Sequence, residues 1–142
     1  MKAVLQRVLR ATVAVDAEVV GEIARGYVLL VGVEQGDDDA QVSWLVDKVL
    51  GLRLFANAQD KLDYDICQIN GSVLVVSQFT LLADIQRGRR PSFSAAAAPD
   101  DAERLYNMAV ARFAERVPVQ SGRFGADMQV TLVNDGPFTL IL

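Results

Sequence analysis

Thr12-Val13-Ala14-Val15, then Asp16-Ala17-Glu18, then Val19-Val20-Gly21-Glu22-Ile23: two runs rich in β-branched residues flank a three-residue break. Branched side chains are stiff at χ1 and suit a pleated surface, so the pattern reads as strand, turn, strand. Upstream, Ala3, Leu5 and, less cleanly, Arg7 alternate with Val4, Gln6 and Val8, the period of two that a strand requires. Downstream, Ala24-Arg25-Gly26 leads into residues 27–33, a fully apolar run of strand length. The first third of the chain is therefore expected to be an antiparallel meander.

Further out the period changes. After Gly36-Asp37-Asp38-Asp39, the residues Val42, Leu45, Val46, Val49 and Leu50 fall on one helical face, and Gly51 comes near the end of that helix. An aspartate caps it, and the others suit the positive end of its dipole. Residues 52–55 suggest a short strand and 57–65 a polar loop. Asn70-Gly71 signals a hairpin between 66–69 and 72–79. A second helix is expected from Pro99, with Asp100, Asp101 and Glu103 in its first turn, Leu105, Ala109 and Phe113 on one face, and Pro118 as its stop. Two final strands, 128–133 and 138–142, are expected around Asn134-Asp135-Gly136-Pro137. With no repeat or linker, residues 1–142 read as one domain. The expected class is α+β: a curved, barrel-like, mostly antiparallel sheet with two helices packed on one face.

Composition narrows the chemistry. Half of the 142 residues are hydrophobic, yet no run approaches the ~20 that a membrane span needs. Charge re-enters at Lys2 and Arg7, so no signal peptide is expected. Cys67 is the lone cysteine; it permits no internal disulfide, reads as a small hydrophobe, and suits a cytoplasmic setting. Histidine is absent, which excludes Ser-His-Asp and Cys-His catalysis within the chain and histidine-ligated zinc. No metal or cofactor is expected. A net charge of −4 argues against a general nucleic-acid coating protein and against a DNA partner. It leaves room for one local basic patch, Arg87-Gly88-Arg89-Arg90.

Four stretches hold chemistry-bearing groups. In Ser77-Gln78-Phe79-Thr80-Leu81, hydroxyls, an amide and an aromatic run off a strand end, where they either line a pocket or satisfy local backbone with Phe79 in the core. Gly88-Arg89-Arg90-Pro91-Ser92-Phe93 offers guanidinium forks for phosphate, or is a solvated loop. Ser121-Gly122-Arg123-Phe124-Gly125-Ala126-Asp127-Met128 is either a close backbone approach or an interstrand loop. Asn134-Asp135-Gly136-Pro137-Phe138-Thr139 reads locally as a turn, with an ordinary trans peptide as the default.

Together, nearly end to end from Met1-Lys2-Ala3-Val4-Leu5-Gln6-Arg7-Val8, these stretches resemble the D-aminoacyl-tRNA deacylases. Two motifs are the most specific to that family: Ser77-Gln78-Phe79-Thr80-Leu81 and the Asn134-Asp135-Gly136-Pro137 turn with Thr139. Phe138, where the family commonly has valine, and Lys61-Leu62-Asp63, in place of a common Lys-Met-Asn, are small departures. The resemblance implies a homodimeric enzyme that hydrolyses the ester of D-aminoacyl-tRNA, and of glycyl-tRNA, to free amino acid and tRNA. It implies catalytic roles for Ser77, Gln78, Phe79 and Thr80, and tRNA binding by Arg87, Arg89 and Arg90. Gly136, Pro137 and Met128 are implied as the chirality filter, with a cis Gly136–Pro137 peptide entering the partner's pocket and Gln6 and Arg7 helping to hold it. Catalysis is implied to use the 2′-hydroxyl of the terminal adenosine, with backbone N–H groups around residues 78–80 stabilising the oxyanion. One alternative is a hydrolase with Thr80 or Ser77 as covalent nucleophile, which lacks an evident base. The other is a non-catalytic module holding an RNA end, against which the acidic net charge counts.

Overall fold

The computed structural model describes residues 1–86 and 88–142; Arg87 lies outside the described residues. Strand β1, Lys2–Val15, is the spine of the sheet. Along one edge it pairs antiparallel with β3, Gly26–Gly32, from Lys2↔Gly32 to Val8↔Gly26, and then with β2, Glu18–Ile23, from Ala11↔Ile23 to Val15↔Glu18. The expected meander is thus corrected: β2 and β3 lie one after the other along β1 instead of pairing with each other. Length is the reason. With 14 residues, β1 accommodates the 6 of β2 and the 7 of β3 in turn.

The 13 residues of helix α1, Asp39–Gly51, begin at the cap that the aspartate run supplies. Asp38 Oδ1 accepts from the Ala40 N–H at 2.7 Å, and Gln41 reaches back to the Asp38 N–H at 3.0 Å. A small antiparallel ribbon follows, β4 (Phe55–Ala56) with β5 (Leu62–Tyr64), where a short strand and a plain polar loop were expected. Strand β6, Ser72–Ser77, then runs parallel to β3. This overturns the hairpin at Asn70-Gly71. Residues 66–70 form a turn in which the Gly71 N–H donates to the Ile66 carbonyl at 2.9 Å. An Asn at φ 51 serves any tight reversal, whatever the following strand pairs with. Helix α2, Pro99–Ala114, carries the chain to β7, Val119–Ser121, parallel to β6. Such parallel pairs require crossovers, and α1 and α2 lie within them.

The last strand, β8 (Gln129–Ile141), covers the other edge of β1 from Val4↔Ile141 to Ala14↔Gln129. The two strands expected around residues 134–137 are therefore one strand with a protrusion. Gln6 faces Thr139 and Val8 faces Asn134, so Arg7 alone stands opposite residues 135–138, which bulge out of the ladder.

Alternation along the strands splits the core in two. Tyr27, Leu29, Val31, Val73 and Val75 point to the helices and meet Leu45, Val49, Leu105 and Phe113. Val28, Leu74 and Val76 point the other way, into a cluster with Val8, Ala11, Val13 and Ile23 inside the curve of the sheet. The curve nearly closes where β2 approaches β7: a Cβ on Gly21 would sit 3.0 Å from the Ser121 carbonyl oxygen. Each fully buried leucine or valine on either face contributes roughly 1.5–3 kcal/mol. No helix among the described residues is long and apolar enough to cross a membrane.

Candidate active site

Strand β6 leaves the sheet at Ser77. The Gln78 N–H makes a last ladder bond to the Val31 carbonyl at 2.8 Å, and Phe79–Leu82 then turn once as 3₁₀ helix. A helix start leaves N–H groups without intrahelical acceptors. Among the described residues no backbone carbonyl accepts from Phe79 or Thr80 N–H, whereas Leu81 N–H donates to Gln78 at 3.2 Å.

Beside this strand end lies a cavity of about 510 Å³. Val76, Ser77, Gln78 and Phe79 form one wall; Ala96, Ala97, Pro99 and Ala102 at the start of α2 form a second; Phe124, Ala126, Asp127 and Met128 form the third. The lining is mostly apolar, and among the described residues Asp127 is its only ionisable side chain. Tyr106 ties α2 to the strands behind the cavity, its hydroxyl donating to the Val75 carbonyl at 2.9 Å. Burial pushes that hydroxyl up to about 12, opposed by hydrogen bonds with Ser121 and Gly122.

Ser77, Gln78, Phe79 and Met128 therefore come together from positions some fifty residues apart. Phe79 is not core, as one reading of its strand had it: it is 55% exposed and meets Phe93 edge to face at 4.9 Å. Thr80 is exposed on the turn and does not line the cavity; its hydroxyl accepts a hydrogen bond from the Gln78 side-chain amide. Arg89 and Arg90 are exposed on a loop pinned by the reciprocal Asp84–Ser92 backbone pair, at 2.7 and 2.9 Å, immediately before Phe93. They lie outside the cavity wall.

Gly136 and Pro137, joined by a cis peptide, sit exposed on the β8 bulge and do not line their own chain's cavity. Arg7 holds the bulge. Its Nε donates to the Asp135 carbonyl at 3.0 Å and lies 3.3 Å from the Asp135 carboxylate; its Nη1 donates to the Leu54 carbonyl. Gly136 has φ +133, and a Cβ there would lie 3.3 Å from Arg7 Nη2, so only glycine fits without strain. Gln6 belongs to the neighbouring ladder, opposite Thr139. Sequence reasoning did not single out Phe124, Asp127 or the alanines around the start of α2 as walls. Small apolar residues carry no chemical signature until a fold gathers them.

A nearly closed α+β barrel with a histidine-free cavity at a strand end defines a fold class seen in solved structures. The structure titled c-Myc DNA Unwinding Element Binding Protein superposes with a TM-score of 0.94, at 36% identity over 100% of this chain and 97% of the other. A second, titled as a probable eukaryotic D-amino acid tRNA deacylase, shares the fold at a TM-score of 0.83 and 17% identity, over 99% of this chain and 97% of the other. The chain belongs to the D-Tyr-tRNA(Tyr) deacylase family, whose model matches residues 4–142. Its relatives include a D-aminoacyl-tRNA deacylase of Klebsiella pneumoniae (strain 342), 54% identical over 100% of this chain and 99% of that protein. Another, of Geobacter sp. (strain M21), is 52% identical over 100% and 96%.

Proposed function

We propose that this D-aminoacyl-tRNA deacylase works as a homodimer in which the β8 bulge of each copy completes the cavity of the other. One observation carries the reading: Gly136-Pro137 projects from the surface and lines no part of its own cavity. A free edge supports it, because β8 pairs only with β1 among the described strands and leaves one edge of its 13 residues unpaired. Unpaired strand edges are templates for association. Backbone oxygens of the inserted bulge then stand where any L side chain would project. D-amino acids escape the clash, and glycine has no side chain to reject.

Hydrolysis joins water to the ester carbonyl and breaks its bond to the terminal ribose oxygen, which takes the proton and leaves as the tRNA hydroxyl. No histidine serves as base, so the ribose 2′-hydroxyl assists the attack. The free N–H groups of Phe79 and Thr80 face the developing oxyanion, where fixed donors act most strongly. Arg89 and Arg90, with Arg87, hold phosphates near the acceptor end. Although the chain shares its fold with a protein titled as a DNA-element binder, its net charge of −4 weighs against duplex DNA as ligand.

The test is a paired time course on D-, L- and glycyl-tRNA, with sedimentation at assay concentration. The expected result is turnover of the D- and glycyl-forms by a dimer, with L-forms spared down to L-alanyl. Equal cleavage of D- and L-forms, or full selectivity in a monomer, would refute the trans filter. A trapped acyl ester on Thr80 would instead favour covalent catalysis.

A further inference from the structure

We infer that Phe138 is a positioning residue for the chirality filter: its ring, acting on the Arg7 guanidinium, fixes the bulge that presents Gly136 and Pro137. This inference rests on the filter reading above. Arg7 is the single β1 residue opposite the bulge, and its side chain is only 13% exposed. Its hydrogen bonds to Asp135 and Leu54 use the edge of the guanidinium plane. The flat surface remains, and Arg7 Cζ lies 4.9 Å from the centroid of the Phe138 ring and 6.0 Å from that of Phe55. Both distances are within reach of cation–π attraction, which strengthens as water is excluded.

The contact is rooted in the core. Phe55 is fully buried, stacks on Tyr27 at 5.3 Å and 18°, and has the Arg25 guanidinium 5.0 Å from its centroid. A column therefore runs from Tyr27 through Phe55 and Arg7 to Phe138, from the core out to the protrusion. Because Arg7 Nε donates to the carbonyl of Asp135, the residue before Gly136, at 3.0 Å, a shift of the guanidinium is transmitted to the filter. An aliphatic residue at 138 keeps apolar packing but presents no ring face to the cation. The aromatic ring at 138 is thus what completes the brace in this chain.

The measurement is the ratio of kcat/KM on D-alanyl-tRNA to that on L-alanyl-tRNA, with a melting curve to confirm folding. Phe138→Leu is expected to lower the ratio by between about twofold and about thirtyfold, the range of a cation–π contact. Phe138→Tyr, which keeps the ring, is expected to restore it. Should the leucine variant lose its melting transition, Phe138→Met is read in its place. Gly136→Ala serves as the control for the filter. If it lowers the ratio while Phe138→Leu does not, the brace is overturned and the filter stands. If neither lowers it, the filter reading fails and the brace with it. If Leu and Tyr lower it equally, the π-face, which tyrosine keeps, is not what counts, and the inference is wrong.

Discussion

The regular ladder is broken in two places, at the end of β6 and in the middle of β8, and the two breaks are built in opposite ways. At β6 the chain leaves the sheet and does not return. The departure frees two backbone N–H groups, exposes Phe79, and ties Thr80 by a single side-chain hydrogen bond. At β8 the chain bulges out and rejoins the same partner, with Asn134 and Thr139 paired on either side. Arg7 then fills the gap with bonds to Asp135 and Leu54 and a ring contact to Phe138. A concave site can rely on backbone and tolerate loosely held side chains. A protrusion has no walls, and its shape depends on what holds it from behind. Changes at the bulge should therefore alter selectivity, and changes at the strand end should alter rate only modestly.

Arg7→Ala is expected to give the largest effect. It removes partly buried, charge-assisted hydrogen bonds, each worth about 1.5–3 kcal/mol. The melting temperature should fall and the D-to-L ratio should drop by at least roughly tenfold, since 1.4 kcal/mol is a factor of ten. A folded Arg7→Ala variant with unchanged ratio would show that the bulge holds itself, and the contrast would collapse. Next comes the double change Arg89→Ala and Arg90→Ala. It should raise KM several-fold, leave kcat nearly intact and flatten the log–log salt dependence by about 0.7–0.9 for each phosphate no longer neutralised. A collapse of kcat at fixed KM would place these arginines in the chemistry instead.

Thr80→Ala should matter less. Its hydroxyl accepts from Gln78 and does not line the cavity, so its loss costs about 0.5–1.5 kcal/mol, or roughly tenfold in rate at most. A drop of several orders of magnitude in the folded variant would make the strand end the more demanding of the two breaks.

The smallest effects separate the two buried tyrosines. Tyr106, behind the cavity, donates to Val75, and Tyr106→Phe should cost about 1 kcal/mol at neutral pH. Tyr27, beneath the brace, has a hydroxyl with no hydrogen-bond partner among the described residues, so Tyr27→Phe should be neutral or slightly stabilising. Burial raises Tyr106 from 10.0 to about 12 and raises Tyr27 as well. A raised folded value means stability that is complete below pH 10 and lost as pH climbs through 12. Each phenylalanine variant should lose less stability across that window in alkaline melting curves; curves parallel to the parent would contradict the burial of both hydroxyls.

Local signals were enough to find most elements and to misjudge some of their partners. The Asp38 cap and the five apolar positions from Val42 to Leu50 mark α1, and Pro99 marks the start of α2. Asn70-Gly71 was legible as a reversal but not as a prelude to a parallel strand, because the φ it supplies is the same in both cases. The Asn134-Asp135-Gly136-Pro137 stretch was legible as a break in a strand. Whether the chain turned there or continued depended on β1, whose edge was free to take all of β8.

The sequence by itself determined the two helices, the strand-rich first third and the exclusion of histidine chemistry, since propensity, periodicity and composition act within a turn or two of the chain. Its four motifs also carried the family resemblance. Only the tertiary structure decided that three walls spread over some fifty residues of chain enclose one cavity, and that Arg7 meets Asp135 across 128 positions of chain. Those contacts follow from which strand edges remain open as the sheet curves toward closure, and a residue's own neighbours in sequence carry no record of that.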